Sequence, residues 1–248
     1  MTYSDRARAF AELHQPGTPL VLYNIWDAGS AAALSKAGAR AVATGSWSVA
    51  AAQGYGDGED IPLELLLQIV TRITATCDLP LTVDFEGGFA QEPDSLTQNA
   101  RKLVETGAVG VNFEDQIIGG DGLYGIEEQS HRIAAMRAAN ADYFINARTD
   151  LFLKEPEAGK HAGLVEEALT RAVAFAEAGA SGFFVPGLTD VDLIAQITAA
   201  SPLPVNVMMR GGMTLSAVTE VGVARASYGP GPYAKAMKQL GEAFSALT

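Results

Sequence analysis

Two carboxylates follow a short apolar run in the stretch LPLTVDFEGGF, and their spacing suggests the first chemical hypothesis. Asp84 and Glu86 are separated by Phe85, and Gly87 and Gly88 come directly after them. Residues i and i+2 of a strand share a face, so both carboxylates are expected to point to the same side. They either solvate the end of a strand or together hold a positive charge.

A third carboxylate makes the second interpretation the stronger one. Glu114 ends the next apolar run, AVGVNFE, and Arg148 ends the run after that, DYFINAR. Three carboxylates that face one volume repel each other, and a hard divalent cation removes that cost. A set of oxygen ligands suits Mg²⁺, with Mn²⁺ as the alternative. Zinc is disfavoured, because none of the three histidines lies at a predicted strand end.

Eight short apolar runs alternate with amphipathic segments and supply the elements that position these residues. The runs span 19–25, 39–44, 79–85, 108–114, 142–148, 181–187, 203–209 and 223–229. Helical patterns cover 28–38, 63–77, 95–107, 127–139 and 164–179. Eight strands alternating with helices in about 250 residues predict an α/β fold, a (β/α)8 TIM barrel. The alternative is an open doubly wound sheet, but no GxGxxG motif follows the first run.

Polar residues gather at the carboxyl ends of the predicted strands, where barrel enzymes carry their active sites. Acids, amides or arginines follow most of the runs, whereas the opposite ends are mostly Gly, Ala, Pro and Leu. Gly38, Gly107 and Gly179 each end a helical pattern just before a run, which predicts helix C-caps. The asymmetry between the two ends predicts one functional site at the mouth of a barrel.

Composition limits the class of protein. The chain has 248 residues and a net charge of −12, which argues against nucleic acid and anionic membranes as partners. The length and the 48% hydrophobic content predict one domain over residues 1–248. No run has the length of a membrane span and the N-terminus lacks a signal-peptide pattern, so a cytoplasmic protein is expected. Cys77 is the single cysteine, which excludes an internal disulfide.

Several phrases together resemble the isocitrate lyase/phosphoenolpyruvate (PEP) mutase superfamily. They are NIWDAGSAAALSKAGARAVATGS, GYGDG, LPLTVDFEGGF, VGVNFEDQ, INARTD and PVNV, and they occur in the family's order over most of the chain. VDFEGGF is similar to the family's Asp-x-Asp metal motif, with Glu86 in place of the second Asp. The resemblance implies a (β/α)8 barrel with a swapped C-terminal helix, Mg²⁺, and a substrate that passes through an enolate of pyruvate.

The resemblance also implies roles for individual residues. The metal ligands, direct or through water, would be Asp84, Glu86 and Glu114. The 2-oxo-carboxylate end of the substrate would be held by Thr44, Gly45, Ser46 and Trp47. Arg148 would bind the carboxylate or the developing oxyanion, and Asn206 would hold a distal carboxylate. Asp57 would lie on a mobile loop, and it is the candidate for moving a proton or positioning a water molecule.

Two departures from the family pattern limit the choice of reaction. Lyases of the family carry a Lys-Lys/Arg-Cys-Gly-His loop after the Glu-Asp strand end, but residues 117–125 here read IIGGDGLYG. No general acid is therefore visible for cleavage of isocitrate or methylisocitrate. Family members that convert phosphonopyruvate use His and Ser near the end of the sixth run, where this chain has Pro186 and Gly187.

The function expected from these residues is that of a Mg²⁺-dependent lyase. It would cleave a C–C bond of a small 2-oxo or 2-hydroxy (di)carboxylate, as an oxaloacetate decarboxylase or a pyruvate-releasing lyase does. One alternative is P–C bond chemistry on phosphonopyruvate, of the mutase or hydrolase type. Another is a catalytically reduced protein that binds 2-oxo-acids with its metal. An amphipathic helix at 231–247 is expected either to complete the barrel or to be exchanged between subunits of a homo-oligomer, a dimer or tetramer.

Overall fold

Eight strands lie within residues 2–247, the part of the chain that this computed structural model describes, and all of them pair in parallel. They are Leu20–Leu22 (β1), Val42–Ala43 (β2), Leu81–Asp84 (β3), Gly110–Glu114 (β4), Phe144–Arg148 (β5), Gly182–Phe184 (β6), Val205–Met208 (β7) and Arg225–Ser227 (β8). Each strand falls inside one of the predicted apolar runs. Their order in the sheet is β1-β8-β7-β6-β5-β4-β3-β2.

The seam between β1 and β2 is closed by an isolated parallel bridge between Ile25 and Thr44. The backbone N–H of Ile25 donates to the carbonyl of Ala43, and the N–H of Gly45 donates to the carbonyl of Ile25. The sheet therefore curls into a barrel, and the predicted (β/α)8 fold is confirmed. The open doubly wound alternative is excluded, because its edge strands would not meet.

Helices surround the barrel and connect its strands. They are Tyr3–Glu12 (α1), Ala28–Lys36 (α2), Ser46–Ala52 (α3), Leu63–Thr76 (α4), Pro93–Glu105 (α5), Ile126–Arg137 (α6), Leu151–Lys154 (α7), Val165–Glu177 (α8), Val191–Ala200 (α9), Leu215–Glu220 (α10) and Gly231–Ser245 (α11), with a 3-10 helix at Ala158–Leu164. The five predicted helical patterns correspond to α2, α4, α5, α6 and α8, and the C-terminal pattern to α11. None of the helices in residues 2–247 combines the length and the apolar character that crossing a membrane requires.

Three helix ends confirm the predicted glycine caps. Gly38, Gly107 and Gly179 follow α2, α5 and α8 with φ of +90°, +92° and +101°. This left-handed backbone is strained for residues with a Cβ atom, and it lets the chain leave the helix and enter the next strand within a few residues. The helix-to-strand phrase is thus a local feature that the sequence alone defines.

The amino-terminal end of the barrel is sealed by α1. Phe10 is fully buried and packs edge-to-face on Phe144 of β5, while the His14 ring stacks on the same Phe144 at 4.1 Å. Burial and the nearby charge of Arg225 lower the pKa of His14 to about 3, so the ring is neutral. With this end closed, solvent reaches the interior from the carboxyl ends of the strands, which form the mouth.

Candidate active site

The VDFEGGF stretch ends as a strand at Asp84 and turns sharply at Glu86. Glu86 has φ of +50°, and the N–H of Gly88 donates to the carbonyl of Phe85 at 2.8 Å to close the turn. Strand alternation therefore does not place Asp84 and Glu86 side by side, and the predicted geometry was wrong in this detail. Both acids still reach the mouth, because the turn directs the Glu86 carboxylate to the backbone N–H of Glu59 at 2.9 Å.

Asp84 is fixed from several sides. Its backbone N–H donates to the Thr44 hydroxyl at 2.9 Å, and its Oδ2 accepts from the backbone N–H of Ser46 at 3.0 Å. Asn112 on the neighbouring β4 donates from Nδ2 to Oδ1 at 3.4 Å. Because Arg225 and Asn146 both donate to the Asn112 oxygen at 2.9 Å, the amide nitrogen must face Asp84. The carboxylate is oriented by the barrel floor as well as by its own loop.

Arg148 is the cation of the mouth and binds three acids. Its Nε and Nη2 donate to the two oxygens of Asp150 at 2.6 and 2.8 Å. Its Nη1 lies 2.7 Å from Glu114 and 3.9 Å from Asp84. The planar fork suits two carboxylates at once, so the guanidinium is held rigidly beneath the cavity.

A buried carboxylate behind Arg148 supports the segment that follows β5. Asp115 is fully buried, accepts from the backbone N–H of Asp150 at 2.9 Å, and pairs with Arg171 at 3.1 Å. Burial raises the pKa of Asp115 to about 6 despite these partners. Asp115 thereby fixes Asp150, and Asp150 fixes Arg148.

The mouth carries more negative charge than its one arginine balances. Burial raises the pKa of Glu86 to about 8, and the charges of Asp84 and Asp57 add to the shift. Burial also raises the pKa of Glu114 well above its ordinary value. The charge of Arg148 lowers this pKa, and the charges of Asp150, Asp84 and Glu86 raise it again. The pKa of Asp57 is raised by loss of water and by the charge of Asp84. Such a cluster favours binding of protons or of a cation.

Two cavities open at the mouth and share Ser46, Asp57 and Arg148. The smaller one, of about 180 Å³, is also lined by Gly58, Glu86, Glu114 and Gln116, and we call it the acid chamber. The larger one, of about 500 Å³, includes Asp84 and Trp47 and extends over β5 to β8 to the start of α11. A charged chamber that opens into a wider cavity is an arrangement suited to a metal and a small substrate.

Residues 10–248 match the family model of phosphoenolpyruvate phosphomutase. The chain belongs to the isocitrate lyase/PEP mutase superfamily. The resemblance inferred from the motifs is thus confirmed over nearly the whole chain. Membership of a superfamily of lyases and mutases supports an enzymatic function.

Individual members of the superfamily show how far the similarity extends. A crystal structure of a candidate phosphonomutase from Burkholderia cenocepacia J2315 is 44% identical, with a TM-score of 0.96 over 100% of both chains. The uncharacterised protein Rv1998c of Mycobacterium tuberculosis is 31% identical over 97% of this chain and 89% of its own. The 2-methylisocitrate lyase of Escherichia coli K12 is 29% identical over 83% of this chain and 70% of its own.

The superfamily's metal fits the residues present, although the site is not a preformed cage. Among residues 2–247, no three His, Cys, Asp or Glu side chains converge on one point as metal ligands. Arg148 lies between Asp84 and Glu114, and Glu86 bonds to the Glu59 amide. Mg²⁺ usually keeps several waters and needs one or two direct carboxylates, so the carboxylate oxygens that line the acid chamber are suitable donors. Glu86 and Glu114 line the same cavity, and burial together with the charges of Asp84 and Asp57 raises the pKa of Glu86, so a cation in the chamber would be favoured.

The predicted substrate-binding residues divide into two groups. Gly45, Ser46 and Trp47 line the larger cavity, as Asp57 and Arg148 do. Thr44 and Asn206 are buried and do not appear in its lining. The Thr44 hydroxyl accepts from Asp84, and the Asn206 amide oxygen accepts from the Ser227 hydroxyl at 3.2 Å. The structure gives both side chains a supporting position below the cavity, and their direct contact with substrate stays a prediction.

Residues that sequence reasoning did not single out hold the site together. Glu59 has φ of +60° and links the loop of Asp57 to the loop of Glu86, because its Oε1 accepts from the Phe89 N–H at 2.8 Å. Arg132 lies behind this link and donates to the carbonyl of Gly87 at 2.7 Å. Arg225 was visible only as a charge within an apolar run. These positions follow from tertiary contacts, which no local spacing reveals.

Proposed function

We propose that the protein is a Mg²⁺-dependent lyase that cleaves a C–C bond of a small 2-oxo or 2-hydroxy carboxylate. The observation that carries the proposal is the acid chamber, which opens into the larger cavity at Ser46, Asp57 and Arg148. A substrate whose 2-oxo-carboxylate end lies at this opening would meet the guanidinium on one side and the acid chamber on the other. The rest of the substrate would extend into the larger cavity.

Mg²⁺ would be held by Asp84, Glu86 and Glu114, directly or through water, and Mn²⁺ would fit the same oxygens. When bound, it would supply positive charge that polarises the 2-oxo group and stabilises negative charge on its oxygen. Arg148 would fix the substrate carboxylate, with Asp150 preventing the guanidinium from turning. Ser46 and Trp47, at the start of α3, would form the opposite wall of the opening.

Decarboxylation of a 2-oxo-acid that carries a carboxylate on C3 is the reaction that requires the fewest catalytic groups from these residues. The bond between C3 and its carboxylate breaks, the carboxylate leaves as CO₂, and the electron pair moves through C3 and C2 to the 2-oxo oxygen. A proton must then reach C3 to give the product 2-oxo-acid. Asp57 lies at the opening, its hydrogen-bond partner is the Ser46 hydroxyl at 3.4 Å, and its raised pKa suits a proton donor.

P–C bond chemistry on phosphonopyruvate is the second candidate. The 44% identity to the candidate phosphonomutase and the family model both favour it. Pro186 lines the larger cavity at the end of β6, and Gly187 follows it, where the family's phosphonopyruvate-converting members have polar residues. With Arg148 on the substrate carboxylate, a phosphonate dianion would need a second cation, and the described lining residues include no other Lys or Arg. These contacts favour C–C cleavage.

A panel of substrates tests the proposal directly. The purified protein with Mg²⁺ is incubated with oxaloacetate, phosphonopyruvate and 2-alkylmalates, and release of a 2-oxo-acid is measured by a coupled dehydrogenase. Turnover of oxaloacetate or a malate supports the lyase, and turnover of phosphonopyruvate alone replaces it by the second candidate. Metal-dependent binding of oxalate without turnover of any substrate would instead indicate a 2-oxo-acid binding protein. Asp57→Asn should lower turnover roughly 10- to 100-fold, and Asp78→Asn, an exposed acid at the other end of the barrel, should not.

We also infer that the protein forms a homo-oligomer through α11. Leu240 and Phe244 are 66% and 67% exposed, and Met237 is 39% exposed, on a helix that packs little against its own barrel. An apolar stripe of this kind is normally covered, and exchange of the helix between subunits would cover it. Light scattering of the wild type and of Leu240→Glu checks this: the wild type should be a dimer or tetramer, and the variant should dissociate towards the monomer.

A further inference from the structure

The larger cavity has one wall without charge. This wall, which we call the apolar wall, is formed by residues at or just after the carboxyl ends of β5 to β8 and by the start of α11. Its members are Leu153, Phe184, Pro186, Met208, Pro230 and Ala234. Most of these residues lie on the β6 to β8 side of the barrel, across from β3 and β4, which carry Asp84 and Glu114. The wall would therefore face the part of a substrate that lies away from these acids.

Charged partners for a second anionic group are missing from this half of the cavity. Of the 17 Lys and Arg residues, all of which lie in the described chain, only Arg148 lines the cavity. Its Nε and Nη2 bind Asp150, and its Nη1 binds Glu114. A distal carboxylate or phosphonate placed against the apolar wall would therefore lose its water without gaining a countercharge.

Two neutral polar side chains that line this end of the cavity, Asn24 and Ser227, already have hydrogen-bond partners. Asn24 accepts from the backbone N–H groups of Tyr228 and Gly229 at 2.9 Å, and its Nδ2 donates to the Thr44 carbonyl at 2.8 Å. The Ser227 hydroxyl donates to the Asn206 amide oxygen. These side chains support the ends of β1 and β8 and are not free to bind an anion. The Ser48 hydroxyl, which lines the cavity, and the Asn206 Nδ2, which lies below it, have no hydrogen-bond partner among residues 2–247, but both are neutral and would supply no countercharge.

The larger cavity has more room than a three-carbon 2-oxo-acid needs. A volume of about 500 Å³ falls in the range of pockets that enclose whole small molecules. A three-carbon 2-oxo-acid at the opening fills only a fraction of it. The remaining space borders the apolar wall and is suited to hydrocarbon.

We infer that the substrate carries an uncharged alkyl substituent, which lies against the apolar wall. It does not carry, in that place, a second anionic group that would remain in the product. The inference rests on the proposed function and specifies its substrate class. A carboxylate that leaves as CO₂ is compatible with this wall, because the leaving group is neutral.

Binding of non-reacting 2-oxo-acids tests the inference in the wild-type protein. Oxalate, pyruvate, 2-oxobutyrate, 2-oxopentanoate, 2-oxohexanoate and 2-oxoglutarate are titrated with saturating Mg²⁺, followed by calorimetry and by the fluorescence of Trp47, which lines the cavity. Each methylene should tighten binding about three- to fourfold, from the burial of one CH₂. 2-Oxoglutarate, with its distal carboxylate, should bind at least tenfold more weakly than 2-oxohexanoate.

A charge introduced into the wall should reverse this preference. Met208→Lys is expected to weaken 2-oxohexanoate at least tenfold and to tighten 2-oxoglutarate, while oxalate, which lacks a distal part, should bind as before. Val173→Lys is the matched control, because Val173 is an exposed residue of α8 outside both cavities. It should leave the whole series unchanged.

The outcomes separate the two proposals. If oxalate and pyruvate bind with Mg²⁺ but affinity is flat or falls with chain length, or 2-oxoglutarate binds more tightly than 2-oxohexanoate, the apolar subsite is wrong and the proposed function stands. If oxalate shows no metal-dependent binding, the proposed function falls, and the substrate class falls with it.

Discussion

At the mouth of the barrel, five carboxylates of the strand ends and loops surround one guanidinium, that of Arg148. They belong to Asp57, Asp84, Glu86, Glu114 and Asp150. Towards the opposite end, Arg225 is buried, and no carboxylate of residues 2–247 forms an ion pair with it. Its Nη2 donates to Asn112, and its Nε and Nη1 have no protein partner. Burial lowers the pKa of Arg225 to about 9, whereas burial and mutual repulsion raise those of Glu86 and Glu114. Buried charge is therefore unfavourable at both ends, but the charge is negative at the mouth and positive around Arg225.

The difference lies in what each end can reach. The acids of the mouth adjoin two cavities, so a cation from solution can relieve their repulsion. The floor around Arg225 is sealed by α1, and the charge of Arg225 acts on Asn112, on His14 and, without a direct contact, on Asp84. Excess charge beside a cavity indicates a ligand site, while excess charge in a sealed core indicates a positioning role.

Removing a carboxylate from the mouth should have the largest effect. Asp84→Asn keeps the size of the side chain but removes its charge, so we expect Mn²⁺ affinity and turnover to fall roughly a hundredfold. Electron paramagnetic resonance of Mn²⁺ measures the binding. Asp94→Asn, an exposed acid in the first turn of α5, is the control and should behave as the wild type. Unchanged metal affinity in Asp84→Asn would remove Asp84 from the metal site.

Arg148→Lys should have the next largest effect. A lysine keeps the charge but cannot bind Asp150 through two nitrogens and Glu114 through a third, so oxalate affinity should fall about tenfold or more. Calorimetry in Mg²⁺ measures this, with circular dichroism to check the fold. If the lysine variant binds oxalate as the wild type does, the fixed fork is not what holds the carboxylate.

The pH dependence of stability follows from the raised pKa of Glu86. A carboxyl with a raised pKa in the folded protein stabilises the fold below its unfolded pKa, and this stability is lost as the pH rises through about 8. Without metal, raising the pH from 6.5 to 8.5 should cost about 2 kcal/mol and lower Tm by roughly 5 °C. Above pH 6.5 the neutral His14 contributes little to the change.

Glu86→Gln and Mg²⁺ sharpen that measurement. The variant should show a smaller fall in Tm over the same range, because it holds no proton to lose. Excess Mg²⁺ should raise Tm more at pH 8.5 than at pH 6.5. An identical pH profile in the variant would assign the titration to other acids.

Arg225→Met should have the smallest effect and the opposite sign. Replacing a buried charge that lacks an acid partner by an apolar side chain should leave the free energy of unfolding unchanged or raise it by up to about 2 kcal/mol. Mn²⁺ affinity should fall only a few-fold, because Asn112 loses one of its two donors. Urea unfolding measures the stability, and a loss of several kcal/mol would show that the arginine is compensated within the core.

Much of the fold could be predicted because its signals are local. Apolar runs, helix periodicity and the glycines 38, 107 and 179 each act within about ten residues. Asp84, Glu114 and Arg148 were placed at the mouth because parallel strands bring their carboxyl ends together. The positions of Glu86 and Glu59 were not predictable in this way, since each depends on a turn stabilised by a hydrogen bond from a distant loop. Ser46 and Trp47 were expected at a strand end, but β2 stops at Ala43 and they begin α3.

Three residues other than glycine have positive φ among residues 2–247, and all three lie at this rim: Glu59, Glu86 and Phe89. Each such backbone costs on the order of 1 kcal/mol, and hydrogen bonds between the two loops hold all three in place. The two loops therefore stabilise each other, and neither is expected to keep its conformation without the other. A designer who moves this metal motif into another barrel would have to graft residues 54–60 together with 84–89.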